Sequence, residues 1–275
     1  MKKIILLIAA IPSFVLNCIA QTDTVYTNTD KISCTVKEVT PDAVKFIYPG
    51  EEIINTVYKN TVQKIIFKSG RVQSFAEATS YKTVTGANDF DNVTLTSVQS
   101  EVNGLFKLGD VSSKAKGTTV FASMEKVKER AYKKMKIVAA MMGANIIYLT
   151  QNTTIGNQMG SQYQAGHQTE TNLAGVAYSN KLPNYDDFNK MIGVKTQFQC
   201  VVLVGMSQRD ADMDVNDCSK NVQIFKIYNE SGLTMVKAKI DGVDFDTFRV
   251  ISYTNKEFTL VYKDGERIYN YKIRV

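Results

Sequence analysis

One stretch of this 275-residue chain repeats its apolar residues every three or four positions, whereas most other apolar runs repeat every second position. The first spacing is that of a helix with one buried stripe, and the second is that of a strand with one buried face. Met124, Val127, Ala131, Met135, Val138 and Met142 form the stripe, and Glu125, Lys126, Glu129, Arg130, Lys133, Lys134 and Lys136 cover the other side. The pattern predicts a helix over 123–142. Ser123 is placed to cap its start, Gly143 to end it, and Glu129 and Lys133 to pair one turn apart. Ile146, Ile147, Tyr148 and Leu149 follow at once as a short buried strand, so the helix is expected to lie across a sheet. The polar face carries glutamates and no aromatic residue, which reads as an ordinary solvated surface.

The period-two runs fall on both sides of this unit. Before it, Ile32, Cys34 and Val36 alternate, then Val44, Phe46 and Tyr48 after the turn at Pro41-Asp42, then Val62, Ile65 and Phe67, with Ser69-Gly70 leading to Val72 and Phe75. After it, Val236, Ala238 and Ile240 alternate up to Asp241-Gly242. Phe248, Val250 and Ser252 come next. Phe258, Leu260 and Tyr262 then run into Asp264-Gly265, the strongest hairpin signal in the chain, and Ile268, Tyr269, Tyr271 and Ile273 close the series. The fold class is therefore expected to be α+β: a central α/β module with one long helix on a sheet, flanked by small antiparallel β modules. The expected boundaries are a signal peptide at 1–20, a β module at 21–78, the α/β domain at 79–209 and a C-terminal β module at 210–275. Residues 150–170, rich in Gln, Asn, Gly and Thr, read as a mobile polar loop. Leu173 to Tyr178 and Val194 to Val204 read as strands, the latter with Phe198, Cys200 and Val202 on one face; residues 186–191 read as a helical turn after Pro183.

The first twenty residues say where the chain is expected to work. Lys2 and Lys3, an apolar core from Ile4, and small residues around a cut between Ala20 and Gln21 make a secretory signal. Asn17 is too large for the position preceding a lipidated Cys18, so soluble export is expected. Loss of Lys2 and Lys3 would leave 31 basic against 27 acidic residues, a net +4. That excess is too dilute for a nucleic-acid footprint. No apolar run after Ala20 is long enough for a membrane-spanning helix.

Chemistry-bearing residues are few. Cys34, Cys200 and Cys218 remain after the leader; Cys200 and Cys218 are the disulfide candidate, and Cys34 fits a buried strand position as a small hydrophobe. The one histidine, His167, lies in the polar loop, and any hydrolase chemistry of the Ser-His or Cys-His kind would have to use it. Asp210, Asp212, Asp214 and Asp217 could direct oxygens at a cation, but Val215 and Asn221 stand where a calcium loop needs glycine and glutamate. A solvated acidic linker is the expectation there. The cysteines lack zinc spacing, and the glycines of 156–166 do not join a strand to a helix as phosphate loops do. No cofactor is expected.

The middle of the chain carries a further pattern. Val93-Thr94-Leu95, Gly104 and Leu108-Gly109 precede the helix, which ends in Ala139-Ala140-Met141-Met142-Gly143-Ala144-Asn145 before Ile146-Ile147, and Gly175-Val176-Ala177-Tyr178 comes later. This resembles small bacterial α/β domains of the YbjQ and RcsF type over about 115 residues. The resemblance implies a helix closed by Gly-Ala-Asn against a sheet. Its metal-binding connotation does not transfer, because the Cys/His cluster it would need is not in this segment. The expected function is that of an exported, non-enzymatic protein of a bacterial envelope, in the periplasm or at the outer membrane. Its role would be binding, assembly or stress response, through a protein partner or self-association. The alternatives are a hydrolase using His167 and a cation binder using Asp210, Asp212, Asp214 and Asp217.

Overall fold

The structure, a computed structural model, describes residues 22–27, 30–75, 81–119, 121–161, 166–207 and 210–275. The leader and its junction at Ala20 and Gln21 lie outside the described residues. The architecture is α+β and mostly strand.

The N-terminal sheet comprises β1 (Asp23–Thr27), β2 (Lys31–Val39), β3 (Ala43–Ile47), β4 (Asn55–Tyr58), β5 (Val62–Ile66) and β6 (Val72–Ser74), in the order β4-β3-β2-β1-β5-β6. Alternation buries Val25, Cys34, Val44, Phe46, Val62 and Ile65 together. Burial pushes the Cys34 thiol up to about 11, with the Asp23 carboxylate adding to the rise. Asp23 is itself buried, and its carboxylate accepts from the Val36 and Lys68 N–H groups at 2.8 and 2.7 Å. Those two bonds tie β1 to its neighbours and replace the water the charge has lost.

The middle sheet holds β7 (Thr94–Thr96), β8 (Phe106–Lys116), β9 (Ile146–Ile155) and β10 (Glu170–Ser179), in the order β7-β9-β10-β8, with β7 parallel to β9. Helix α1 (Met124–Met141) crosses it, and the Ser123 hydroxyl caps the helix by accepting from Lys126 N. Val127, Ala131, Met135 and Ala139 are fully buried against Val111, Ile147, Leu173 and Ala177. Gly175 permits this closeness: a Cβ there would sit 2.5 Å from the Tyr148 carbonyl and 3.1 Å from Met135 Cε.

Several expectations for this region are corrected. An eleven-residue strand, β8, which contains Gly109, was not anticipated. The polar loop is shorter than 150–170, because β9 runs on to Ile155 and β10 begins at Glu170. The polar residues of β9 pair with β10 through the backbone ladder, which does not depend on aliphatic side chains. The helix is also not solvated along its whole second face: Lys134, Ile137, Ala140 and Met141 are buried. Lys133 turns to Asp212 at 2.5 Å rather than to Glu129. An aromatic side chain does stand exposed beside the helix start, since Phe121 is 80% accessible.

The third unit begins with α2 (Tyr185–Ile192) and continues through β11 (Gln197–Ser207), β12 (Asp214–Asp217), β13 (Asn221–Glu230), β14 (Leu233–Ile240), β15 (Thr247–Tyr253), β16 (Glu257–Asp264) and β17 (Arg267–Arg274). The order β12-β11-β13-β14-β15-β16-β17, with β11 also paired to β17, closes six strands into an antiparallel barrel and adds β12 at the side of β11. Closure leaves the ring without an open edge. Phe188 and Ile192 of α2 plug the core made by Phe198, Cys200, Phe248, Phe258 and Leu260. The boundary expected at 209/210 therefore moves back to about 180, because β11 hydrogen-bonds to the last strand and not to the middle sheet. Val194, expected in this strand, is fully exposed before it. A bulge between Cys200 and Val202 then reverses the strand's faces: Phe198 and Cys200 point into the barrel, whereas Val204 and Met206 point out of it.

Candidate functional site

Those outward residues meet the helix. Ile137 and Met141 of α1 pack with Val204, Met206, Ile251, Val261 and Ile268 of the barrel into one buried cluster. The last turn of α1 is thus enclosed between two sheets. A helix end leaves carbonyls without intrahelical partners, and a buried end needs donors from elsewhere. Gly143 N and Ala144 N donate back to Ala140 and Ala139 at 2.8 and 3.0 Å. The barrel supplies two more donors: Asn270 Nδ2 to the Met141 carbonyl at 2.9 Å and Arg249 Nη2 to the Met142 carbonyl at 2.8 Å. Burial draws the Arg249 guanidinium down to about 10, which leaves it charged at neutral pH, as suits the negative end of a helix. Gly143 adopts φ +73°, and a Cβ there would lie 3.1 Å from Ile251 Cβ, so both the turn and the contact require glycine.

Clefts open along this seam, three of them lined by described residues. One, of about 390 Å³, lies between residues 85–89 and the outer face of the barrel, and its lining includes Asp89, Ser252, Glu257, Asn270 and Lys272. Ser252 Oγ donates to the Thr85 carbonyl at 2.7 Å, the Thr85 N–H and hydroxyl donate to Asp89, and Glu257 pairs with Lys272 at 2.7 Å. Asn270 is almost wholly buried, and its Oδ1 has no hydrogen-bond partner among the described residues. A second cleft, of about 470 Å³, is lined by Asp110, Val138, Met142, Lys263, Glu266 and others. A third, of about 460 Å³, is lined by Lys114, Ala115, Lys116, Arg130, Lys134, Ala211 and Glu266. The first is polar and hydroxyl-rich, the second mixes apolar and charged groups, and the third is cationic. Glu266, in the β16–β17 turn, borders both of the last two.

The candidate site residues named from sequence are not themselves lining residues of these clefts, although Asp210 and Asp212 flank Ala211 of the third. His167 is exposed, and its backbone forms a two-bond bridge with Gln158. The four aspartates do not converge. Asp210 accepts from Ser207 N, Asp212 pairs with Lys133, Asp214 with Arg267, and Asp214–Asp217 is a paired strand rather than a linker. The Lys133 ammonium holds the Asp212 carboxyl below its ordinary value. Among the described residues no group of three or more His, Cys, Asp or Glu is arranged to hold a metal ion. Cys200 and Cys218 are thiols here, brought together by Cys218 N donating to the Val201 carbonyl and Cys200 N to that of Lys220. Burial pushes the Cys200 thiol up, and the adjoining Cys218 thiol pushes it further.

Sequence reasoning missed Arg249, Asn270 and the cationic cleft. Asn270 carries a faint signal, an amide inside a run of strand aromatics and aliphatics. Lys114 and Lys116 carry another, since they share one side of a strand that was itself overlooked. Comparison of the chain with family models, with curated proteins and with solved structures finds no match.

Proposed function

We propose that this is an exported, non-enzymatic protein of a bacterial cell envelope, acting in binding or assembly, whose middle unit is a domain of the YbjQ and RcsF type. The observation that carries this reading is the chemistry of the seam. Its buried Asn270 and partly buried Arg249 aim their N–H groups at helix carbonyls, which is a supporting role. The result is a rigid platform with clefts along its outside. Gly143, Ala144 and Asn145 support the domain assignment by position. Asn145 is buried, takes the Asn180 N–H on its Oδ1 and donates to the Asn180 side chain, so the helix-closing signature also fixes the end of β10. Among the described residues no helix is long and apolar enough to cross a membrane.

Fractionation of cells carrying the tagged chain, combined with N-terminal sequencing and cross-linking, tests the proposal. The expected result is a chain that begins at Gln21, lies in the periplasmic or outer-membrane fraction, and cross-links to a defined partner or to a second copy. A chain that begins at Met1 in the cytosol would refute export. The absence of any cross-linked species across a range of linker lengths would refute binding and assembly.

A further inference from the structure

We infer that the cleft between residues 85–89 and the outer face of the barrel binds a small neutral polyol, a mono- or disaccharide. The floor of this cleft is one continuous surface. Ser252, Thr259, Lys272 and Val202 stand opposite one another across β15, β16, β17 and β11, and cross-strand partners share a face. Glu257 and Asn270 lie two residues from Thr259 and Lys272 on the same strands, so they join that face. Val204, opposite Asn270, packs in the cluster shared with α1, which identifies the face as the one turned away from the barrel core. The roof is tied down by hydrogen bonds. The Ser252 hydroxyl donates to the Thr85 carbonyl at 2.7 Å, and the Thr85 N–H and hydroxyl hold Asp89.

The floor contains an unused acceptor. Asn270 is 3% exposed, its Nδ2 is spent on the Met141 carbonyl, and its Oδ1 has no partner among the described residues. A buried acceptor in that state has lost its water without compensation. An O–H or N–H of a ligand would supply the missing bond, directly or through one bridging water. The charges around it are already answered within the protein: Glu257 pairs with Lys272 at 2.7 Å, and Asp89 takes its two bonds from Thr85. A cationic ligand would meet the Lys272 ammonium, and an anionic one the Asp89 and Glu257 carboxylates. A neutral hydroxyl both donates and accepts, so neighbouring hydroxyls of a sugar ring match the adjacent Lys272 donor and Glu257 acceptor. Val202 and Val204 supply an apolar side for the C–H groups of the ring. The volume of about 390 Å³ lies near the lower end of the roughly 300–1,000 Å³ span of small-molecule sites, which suits a short sugar and not a long chain. The inference goes beyond the proposed envelope role and does not depend on export.

An amide-shift titration of the isotope-labelled mature chain provides the test. The probes are glucose, N-acetylglucosamine and maltose, with putrescine and inorganic phosphate as cationic and anionic comparators. Saturable shifts are expected for at least one sugar, at 85–89, 202–204, 252–259 and 270–272, and at the side-chain amide of Asn270. The Glu257–Lys272 pair is partly exposed and adds little to stability, so E257A/K272A is expected to keep its circular dichroism while weakening sugar binding about ten-fold. T259V removes one lining hydroxyl at nearly constant volume and should weaken binding about three-fold. The control K237A/D246A deletes another exposed ion pair of the barrel, outside the lining, and should change affinity by less than about two-fold. The proposal is overturned if no sugar saturates, if putrescine or phosphate produces those shifts in place of the sugars, if the shifts map elsewhere, or if the control loses as much as the target variants.

Discussion

The joint between the N-terminal sheet and the middle unit is made of different material from the joint between the middle unit and the barrel. At the first, the described contacts are polar or local. Asn60 Nδ2 donates to the Glu101 carbonyl, and Tyr58 lies against Gly104, where a Cβ would come within 2.7 Å of its ring. The N-terminal core, from Val25 to Phe75, is drawn from the strands of its own sheet and the residues that flank them. At the second joint, residues from α1 and from four barrel strands share one apolar cluster, and the helix end is bonded to β15 and β17. A shared core couples two units into one cooperative transition, whereas a polar contact adds affinity without merging cores. The helix with the barrel should therefore unfold as one body and the N-terminal sheet as another.

The largest effect that would break this comparison comes from Met141→Ala. Its side chain is fully buried at the second joint, and the cavity should cost about 3 kcal/mol. Urea denaturation followed by hydrogen exchange should show α1 and the barrel losing protection together; loss from only one of them would mean the cluster does not couple them. Oxidation of Cys200 and Cys218 to a disulfide should raise barrel stability by roughly 3 kcal/mol and leave the N-terminal transition unmoved. Peptide mass mapping under non-reducing conditions checks the bond, and paired denaturation curves check the gain. Arg249→Met should cost about 2 kcal/mol, because the Met142 carbonyl loses its charged donor, and should lower the same thermal transition as Met141→Ala. Asn60→Ala should cost under about 1 kcal/mol and move only the N-terminal transition, since Asn60 Oδ1 is already without a partner among the described residues. The smallest effect is the exposed Lys133–Asp212 pair, worth about 0.5 kcal/mol in a double-mutant cycle. Because the folded Asp212 carboxyl is held low, this coupling is full above the unfolded value near ~4 and fades as pH falls through the lower folded value. A cycle repeated at pH 7 and pH 2.5 measures that loss.

What was legible in the sequence was local. The helix, its Ser123 cap, its Gly143 terminus and the hairpin beyond Asp264 each follow from a short run of residues, and each lies where the pattern places it. What was illegible was ownership. β11 reads as a continuation of the middle unit because it follows it in the chain, yet its hydrogen bonds go to β13 and β17. Spacing records which residues are apolar and not which sheet receives them. Bulges hide further information: the one after Cys200 moves Val202 out of the face it seemed to share with Phe198, and the one at Ile224/Lys226 leaves Phe225 60% exposed. Ile137 and Met141 fall outside the helical stripe because a single-stripe pattern anticipates one partner surface, and this helix has two. The candidate site was hidden for the same reason, since its clefts form only where separate elements meet. Val194 and the extended β9 were misjudged for smaller reasons of strand length and turn position.

The closing of the barrel by β11 and β17 has a bearing on how the chain is made. During synthesis, α1 emerges more than a hundred residues ahead of Arg249 and Asn270. For that whole interval the carbonyls of Met141 and Met142 lack the barrel donors, and Ile137 lacks the barrel half of its cluster. The end of the helix should thus settle last rather than first. A nascent chain arrested before β15 should show α1 frayed at its final turn, however strongly its own sequence favours the coil.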